Sequence, residues 1–198
     1  MALKLLGVCG SMREGSYSRR ALKVVLEAAA ARGAETSLLD LRTTVLPMYN
    51  PDEPATDAAG HVRRATEAVG WADAFVLGSP DYHGSMSGAI KNFLDYHWEE
   101  FTGKLFGYVC ASHEKGMTVM DQMRTAVRQC YGWSLPYGVS IHGENDFGAG
   151  ETPTNPRVGR RLRMLGRDVV VYGSLLREGF LRDMQSDDPE TFVARYRK

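Results

Sequence analysis

Short apolar runs and helical stripes alternate along the whole chain. Leu3 to Cys9 is an apolar run that stops at Gly10-Ser11, the pattern of a buried strand. Leu22, Val25, Leu26 and Ala29 then fall at i, i+3, i+4 and i+7, which predicts an amphipathic helix with Gly33 as its stop. Thr36 to Leu41 reads as a second strand, followed by a proline-rich loop from Leu46 to Pro54. Val62, Ala65, Thr66 and Val69 repeat the helical spacing, with Asp57 as N-cap. Ala74 to Gly78 predicts the third strand, and Ala89, Ile90, Phe93 and Leu94 the next helix. Leu105 to Ala111 is a fourth strand, and Val119, Met120, Met123 and Val127 mark a fourth helix. Tyr137 to Ile141 predicts a fifth strand, and Val158, Leu162, Leu165, Val169 and Tyr172 a long helix. Asp188-Pro189-Glu190 is placed to cap a last short helix.

Strands that are apolar throughout must be covered on both faces, and helices between them supply the cover through right-handed crossovers. Five such units predict an α/β fold: a flavodoxin-like, doubly wound, five-stranded parallel sheet with helices on both faces. The 198 residues fit one domain spanning 1–198, and no internal repeat divides them.

Composition narrows the function. With 24 basic and 24 acidic residues the net charge is zero, which disfavours nucleic acid as a partner. The cluster Arg157, Arg160, Arg161 and Arg163 reads as the solvated side of a helix. No apolar run reaches the roughly 18 residues of a membrane span, and the start lacks the order of a secretory leader. A cytoplasmic protein is expected. Three widely spaced cysteines, Cys9, Cys110 and Cys130, suit neither a disulfide framework nor a zinc site. Cys9 and Cys110 lie in strands and read as core, while His61, His97 and His142 have no metal-ligand spacing.

In an open parallel sheet, ligands bind beyond the carboxyl ends of the strands, where strand order reverses. After the first strand come Ser11, Arg13, Ser16 and Ser18, ahead of a helix. Hydroxyls, a guanidinium and free N–H groups at a helix start make an anion site, although the same residues also suit an ordinary capped turn. Neither Gly-x-Gly-x-x-Gly nor a Gly-Lys-Ser/Thr ending is present. After the third strand, Pro80, Asp81, Tyr82, His83 and Gly84 combine a fixed strand exit, an aromatic face and a close backbone approach.

Taken together, Gly10-Ser11-x-Arg13-x-x-Ser16-x-Ser18, Ser79-Pro80-Asp81-Tyr82-His83-Gly84-Ser85 and Lys91-Asn92-x-x-Asp95 resemble the NAD(P)H-dependent FMN reductase family. Its relatives include quinone, chromate and azo reductases. Asp40-Leu41-Arg42 and Leu46-Pro47-Met48-Tyr49-x-x-Asp52 resemble the segment after that family's second strand. The resemblance implies FMN bound noncovalently, its phosphate held by Ser11, Arg13, Ser16 and Ser18. Pro80, Asp81, Tyr82, His83 and Gly84 would border the ring, largely through backbone groups. Relatives usually have Glu-Tyr-Asn where this chain has Asp81-Tyr82-His83, and a glycine-rich turn where it has Ser112-His113-Glu114-Lys115. Ser112 and His113 are therefore further candidate cofactor contacts, with a solvated loop as the other reading. No side chain is nominated as catalytic, because FMN carries the redox chemistry.

The family implies NADPH (or NADH) as donor and a small-molecule acceptor: free flavin, a quinone, chromate or an azo compound. It also implies a homodimer or homotetramer, with Met48 and Tyr49 near a neighbouring subunit's flavin. Apolar residues in segments expected at the surface (Met48, Tyr49, Met86, Trp98 and Phe101) point the same way. The alternative is a flavodoxin-like electron carrier acting on a protein partner. Such carriers are usually strongly acidic, and this chain is neutral.

Overall fold

The computed structural model describes residues 1–52 and 60–196. Its sheet is built from β1 (Lys4–Cys9), β2 (Glu35–Asp40), β3 (Ala74–Pro80), β4 (Leu105–Ala111), β5 (Trp133–Ser134) and β6 (Val139–Ile141). The helices are α1 (Tyr17–Ala30), α2 (His61–Trp71), α3 (Gly88–Asp95), α4 (Met117–Gln129), α5 (Gly143–Phe147) and α6 (Pro156–Gln185). All pairings are parallel, and the order is β2-β1-β3-β4-β5, with β6 also on β4. The chain winds outward in both directions from β1 and β3, so the order reverses between those two strands.

Period-two alternation sorts the strand residues between two cores. Leu5, Val76 and Val109 face α1 and α6; Leu6, Val8, Phe75, Leu77 and Phe106 face α2, α3 and α4. The predicted stripes of α1 and α4 are buried at every position named above. Cys9 and Cys110 are core residues.

The fifth strand departs from expectation. The edge partner of β4 comes in two pieces, Trp133–Ser134 against Leu105–Phe106 and Val139–Ile141 against Val109–Ala111. Leu135 still donates its N–H to the Phe106 carbonyl at 2.9 Å, but Pro136 has no N–H to give, and the ladder breaks there. Thr66 and Tyr172 turn outward instead of joining their predicted stripes. Phe101, expected at the surface, is fully buried, stacking edge-on against Phe75 and Phe106. The Asp188 carboxylate does accept the Glu190 N–H, but no helix starts there. The last helical turn is a 3₁₀ turn at Ala194–Tyr196. The expected cap Asp57 lies outside the described residues, and α2 begins behind Gly60. Among the described residues, no helix is long and apolar enough to cross a membrane.

Candidate functional site

A cleft of about 420 Å³ lies over the carboxyl ends of β1, β3, β4 and β6, at the reversal of strand order. Its first wall is the turn from β1 into α1. Gly10 is required there: a Cβ would fall 2.1 Å from Cγ1 of Ile90. The close approach lets Ser87 donate from Oγ to the Gly10 carbonyl at 2.7 Å while capping α3 through the Ile90 N–H. Ser79 Oγ in turn accepts the Ser87 N–H at 2.9 Å, tying the β1 and β3 turns to one helix start.

Ser11, Arg13, Ser16 and Ser18 all line this wall. Ser16 caps α1, its Oγ accepting the Arg19 N–H at 3.2 Å. Helix geometry leaves the N–H groups of Tyr17 and Ser18 without intrahelical acceptors. Ser18 is 1% exposed, and its Oγ has no hydrogen-bond partner among the described residues. An unpartnered buried hydroxyl costs about 1–3 kcal/mol. Here it faces a cleft beside an exposed guanidinium and a helix start, a setting in which a bound anion would satisfy it.

Pro80, Asp81 and Tyr82 line the second wall. Tyr82 and Ser85 exchange both N–H···O bonds at 3.1 Å around His83 (φ 57°) and Gly84 (φ 73°). Two consecutive positive φ values define a type I′ turn, which asparagine and glycine usually occupy and histidine tolerates better than most residues. His83 thus sits at the tip, outside the lining of the cleft, and Gly84 lines only the adjoining hollow. Asp81 locks the turn in place. Its Oδ1 accepts the Gly84 N–H and its Oδ2 accepts the Ser112 hydroxyl, both at 2.8 Å.

Ser112 and His113 form the third wall, after β4. The fourth wall, after β6, contributes His142, Gly143, Glu144 and Asn145, none of which was nominated from the sequence as part of this cleft. The carboxyl-end rule, carried on to the fifth strand, would have found them. The His113 and His142 rings meet edge-on with centroids 5.4 Å apart, and Asn145 Nδ2 lies 2.7 Å from His142 Nδ1. With the amide donating, the proton of a neutral His142 sits on Nε2. Beyond β4, His113 through Thr118 also border the adjoining hollow of about 560 Å³. Burial and the nearby Asp81 charge push the Cys110 thiol up to about 12, so it carries no thiolate at neutral pH.

Residues 3–146 match the family model for NADPH-dependent FMN reductases. An NADPH azoreductase of Bacillus sp. (strain OY1-2) is 31% identical over 144 residues, covering 71% of this chain and 78% of that one. An NAD(P)H:quinone oxidoreductase of Solanum tuberosum is 33% identical over 97 residues, 48% of this chain and 49% of the relative. Among solved structures, a flavoenzyme NAD(P)H:(acceptor) oxidoreductase from Paracoccus denitrificans shares the fold with a TM-score of 0.73. It is 21% identical, and the match covers 88% of this chain and 98% of that one. The reversal-point cleft, the anion-ready turn before α1 and the match across residues 3–146 agree: this chain belongs to the NADPH-dependent FMN reductase family.

Proposed function

We propose that the chain is a single-domain, cytoplasmic oxidoreductase that passes electrons from NADPH, through FMN held in the cleft, to a small acceptor such as an azo compound or a quinone. One observation carries the placement of the cofactor. The hydroxyl of Ser18 is buried, unpartnered and in the wall of a cleft, beside Arg13 and the start of α1. The phosphate of FMN has the charge and the acceptor oxygens that this wall lacks. Ser11, Arg13, Ser16 and Ser18 would hold that group, the last three serving as donors around α1. Pro80, Asp81 and Tyr82 would border the ring system on one side, with Ser112 and His113 on another. His83 and Gly84 contribute through the backbone of their turn rather than by lining the cleft.

FMN, when bound, supplies the two-electron chemistry. The protein's part is to orient it and keep water from it. Asp81 holds the β3 and β4 turns together, and Tyr82, 46% exposed, leaves an aromatic face available to a planar partner. The neutral charge of the chain gives no basis for docking a charged protein partner, which sets this reading above an electron carrier.

The test is binding and reduction together. Purified protein should bind FMN, and anaerobic NADPH should bleach the flavin absorbance; a carrier's flavin would stay oxidised. Arg13→Ala should weaken FMN about ten- to a hundredfold, the worth of one charge-assisted hydrogen bond, with far less effect on riboflavin. Equal losses for the two ligands would remove the phosphate from this wall.

A further inference from the structure

Arg19 is the first residue of α1 to turn away from the cleft, and it does not line it. Its guanidinium instead reaches back under the turn that precedes the helix. Nη1 donates to the Glu14 carbonyl at 2.6 Å and Nη2 to the Arg13 carbonyl at 3.2 Å. Nε lies 2.7 Å from Asp40 Oδ2 at the end of β2, off the line of its N–H, so charge rather than a directed bond holds that contact. Both side chains are largely enclosed, at 15% and 17% exposure. Asp40 is itself fixed: its Oδ1 accepts the Arg42 N–H at 3.1 Å, and Leu41 is tied back to Cys9 through its N–H at 3.0 Å.

This arrangement has a stereochemical consequence. In a trans peptide the carbonyl and the following N–H point in opposite directions. Drawing the carbonyls of Arg13 and Glu14 toward one guanidinium therefore turns the N–H groups of Glu14 and Gly15 the other way. Gly15 lines the cleft, next to Ser11, Arg13 and Ser16. A planar fork with several donors can hold two carbonyls at once while its charge faces a carboxylate, whereas an ammonium presents a point charge without that geometry.

We propose that Arg19, anchored by Asp40, is a positioning residue that presets the Arg13–Ser16 turn with its backbone N–H groups toward an anionic ligand. Arg19 acts without touching the ligand. This inference rests on the phosphate of FMN binding at that turn, and it adds a determinant of affinity that lies behind the wall rather than in it. Preorganisation of this kind lowers the ordering cost of binding.

The experiment compares FMN with riboflavin by quenching of flavin fluorescence, in wild type, Arg13→Ala, Arg19→Lys and Arg19→Ala. Arg19→Lys keeps the charge and loses the fork. It should weaken FMN about tenfold, one ordinary hydrogen bond's worth, and riboflavin by less than about twofold. Arg19→Ala should lose more, and low-millimolar guanidinium should restore part of the loss where ammonium at equal ionic strength does not. Unchanged FMN-to-riboflavin ratios in both Arg19 variants, beside a lowered ratio in Arg13→Ala, would overturn the role of Arg19 and leave the phosphate reading standing. An unchanged ratio in Arg13→Ala as well would overturn both. Should the Arg19 variants fail to fold, Asp40→Asn loosens the same guanidinium, and an FMN-to-riboflavin ratio equal to wild type there is equally fatal to the proposal.

Discussion

At His97 the chain buries an imidazole, 2% exposed, with neither ring nitrogen partnered among the described residues. The rings of Phe93, Tyr96 and Phe101 surround it. Burial pulls its pKa down from 6.5 to about 4, with Glu100 opposing the shift and Lys104 adding to it. The sign follows from proton counts: between about 6.5 and 4 the unfolded chain takes up a proton at this site that the native chain refuses. Stability should therefore fall as the pH drops through that window, by about 2 kcal/mol from pH 7 to pH 5. Urea denaturation of wild type and His97→Phe at both pH values tests it. The stability difference between the two proteins should change by about that amount in favour of the variant, and a constant difference would refute the assignment. Residues of the cleft were more legible than this one. Ser11, Arg13, Ser16 and Ser18 stand where a strand-to-helix turn presents its donors. Position alone also suited an ordinary capped turn; the family resemblance marked them, and all four line the cleft. At His83 the positive φ pair carries the side chain to the tip of a turn, which a histidine beside a tyrosine in the sequence does not reveal.

Among the elements, apolar runs located β1, β3 and β4 well because each is buried on both faces and needs no alternation. The edge was harder to read. There, β5 and β6 are short and half-covered, and Pro136 interrupts them, so composition identifies only the second piece. In α6 the polar outer face continues past Tyr172 to Gln185 without a stop signal, and the helix runs longer than its buried stripe. What the stripe did not reveal is how closely α6 approaches α1. A Cβ on Gly166 would lie 2.4 Å from the Val25 carbonyl and 3.0 Å from the Ala28 Cβ, so the two helices cross on a bare backbone. Alanine gains about 1 kcal/mol of helix propensity over glycine, but this contact is with backbone and cannot rotate away. Gly166→Ala should therefore be destabilising by about 1–3 kcal/mol. Gly70, near the end of α2, has nothing within 4 Å of an added Cβ. Gly70→Ala should stabilise, by about 0.5–1 kcal/mol. Denaturation midpoints that rise for both would show that propensity, not packing, governs these sites.

At the scale of the whole molecule, one group of exposed apolar residues gathers around a single concavity. Met12, Val45 and Met48 line one hollow of about 270 Å³ together with Leu41 and Leu46. Met48 is 82% exposed, Met12 48% and Val45 49%, and Tyr49 adjoins them with its N–H given to Asn92 Oδ1 at 2.8 Å. Such side chains singly mean little, but grouped around one concavity they mark a contact surface. Met12 stands between Ser11 and Arg13, so a partner seated in this hollow would abut the turn proposed to hold the phosphate. A second copy of the chain is the occupant proposed here, since closed symmetry buries the same patch twice and needs no other molecule. Light scattering at micromolar concentration should then give a dimer or a dimer of dimers. Met48→Glu places a charge in the buried contact, where desolvation costs several kcal/mol, and should shift the equilibrium to monomer. FMN affinity should fall in parallel, because the turn at Met12 loses its support while Arg13 and Ser18 remain in place. A wild-type monomer with FMN bound and full activity would exclude the shared surface. A Met48→Glu monomer with wild-type FMN affinity would keep the interface but separate it from the cofactor.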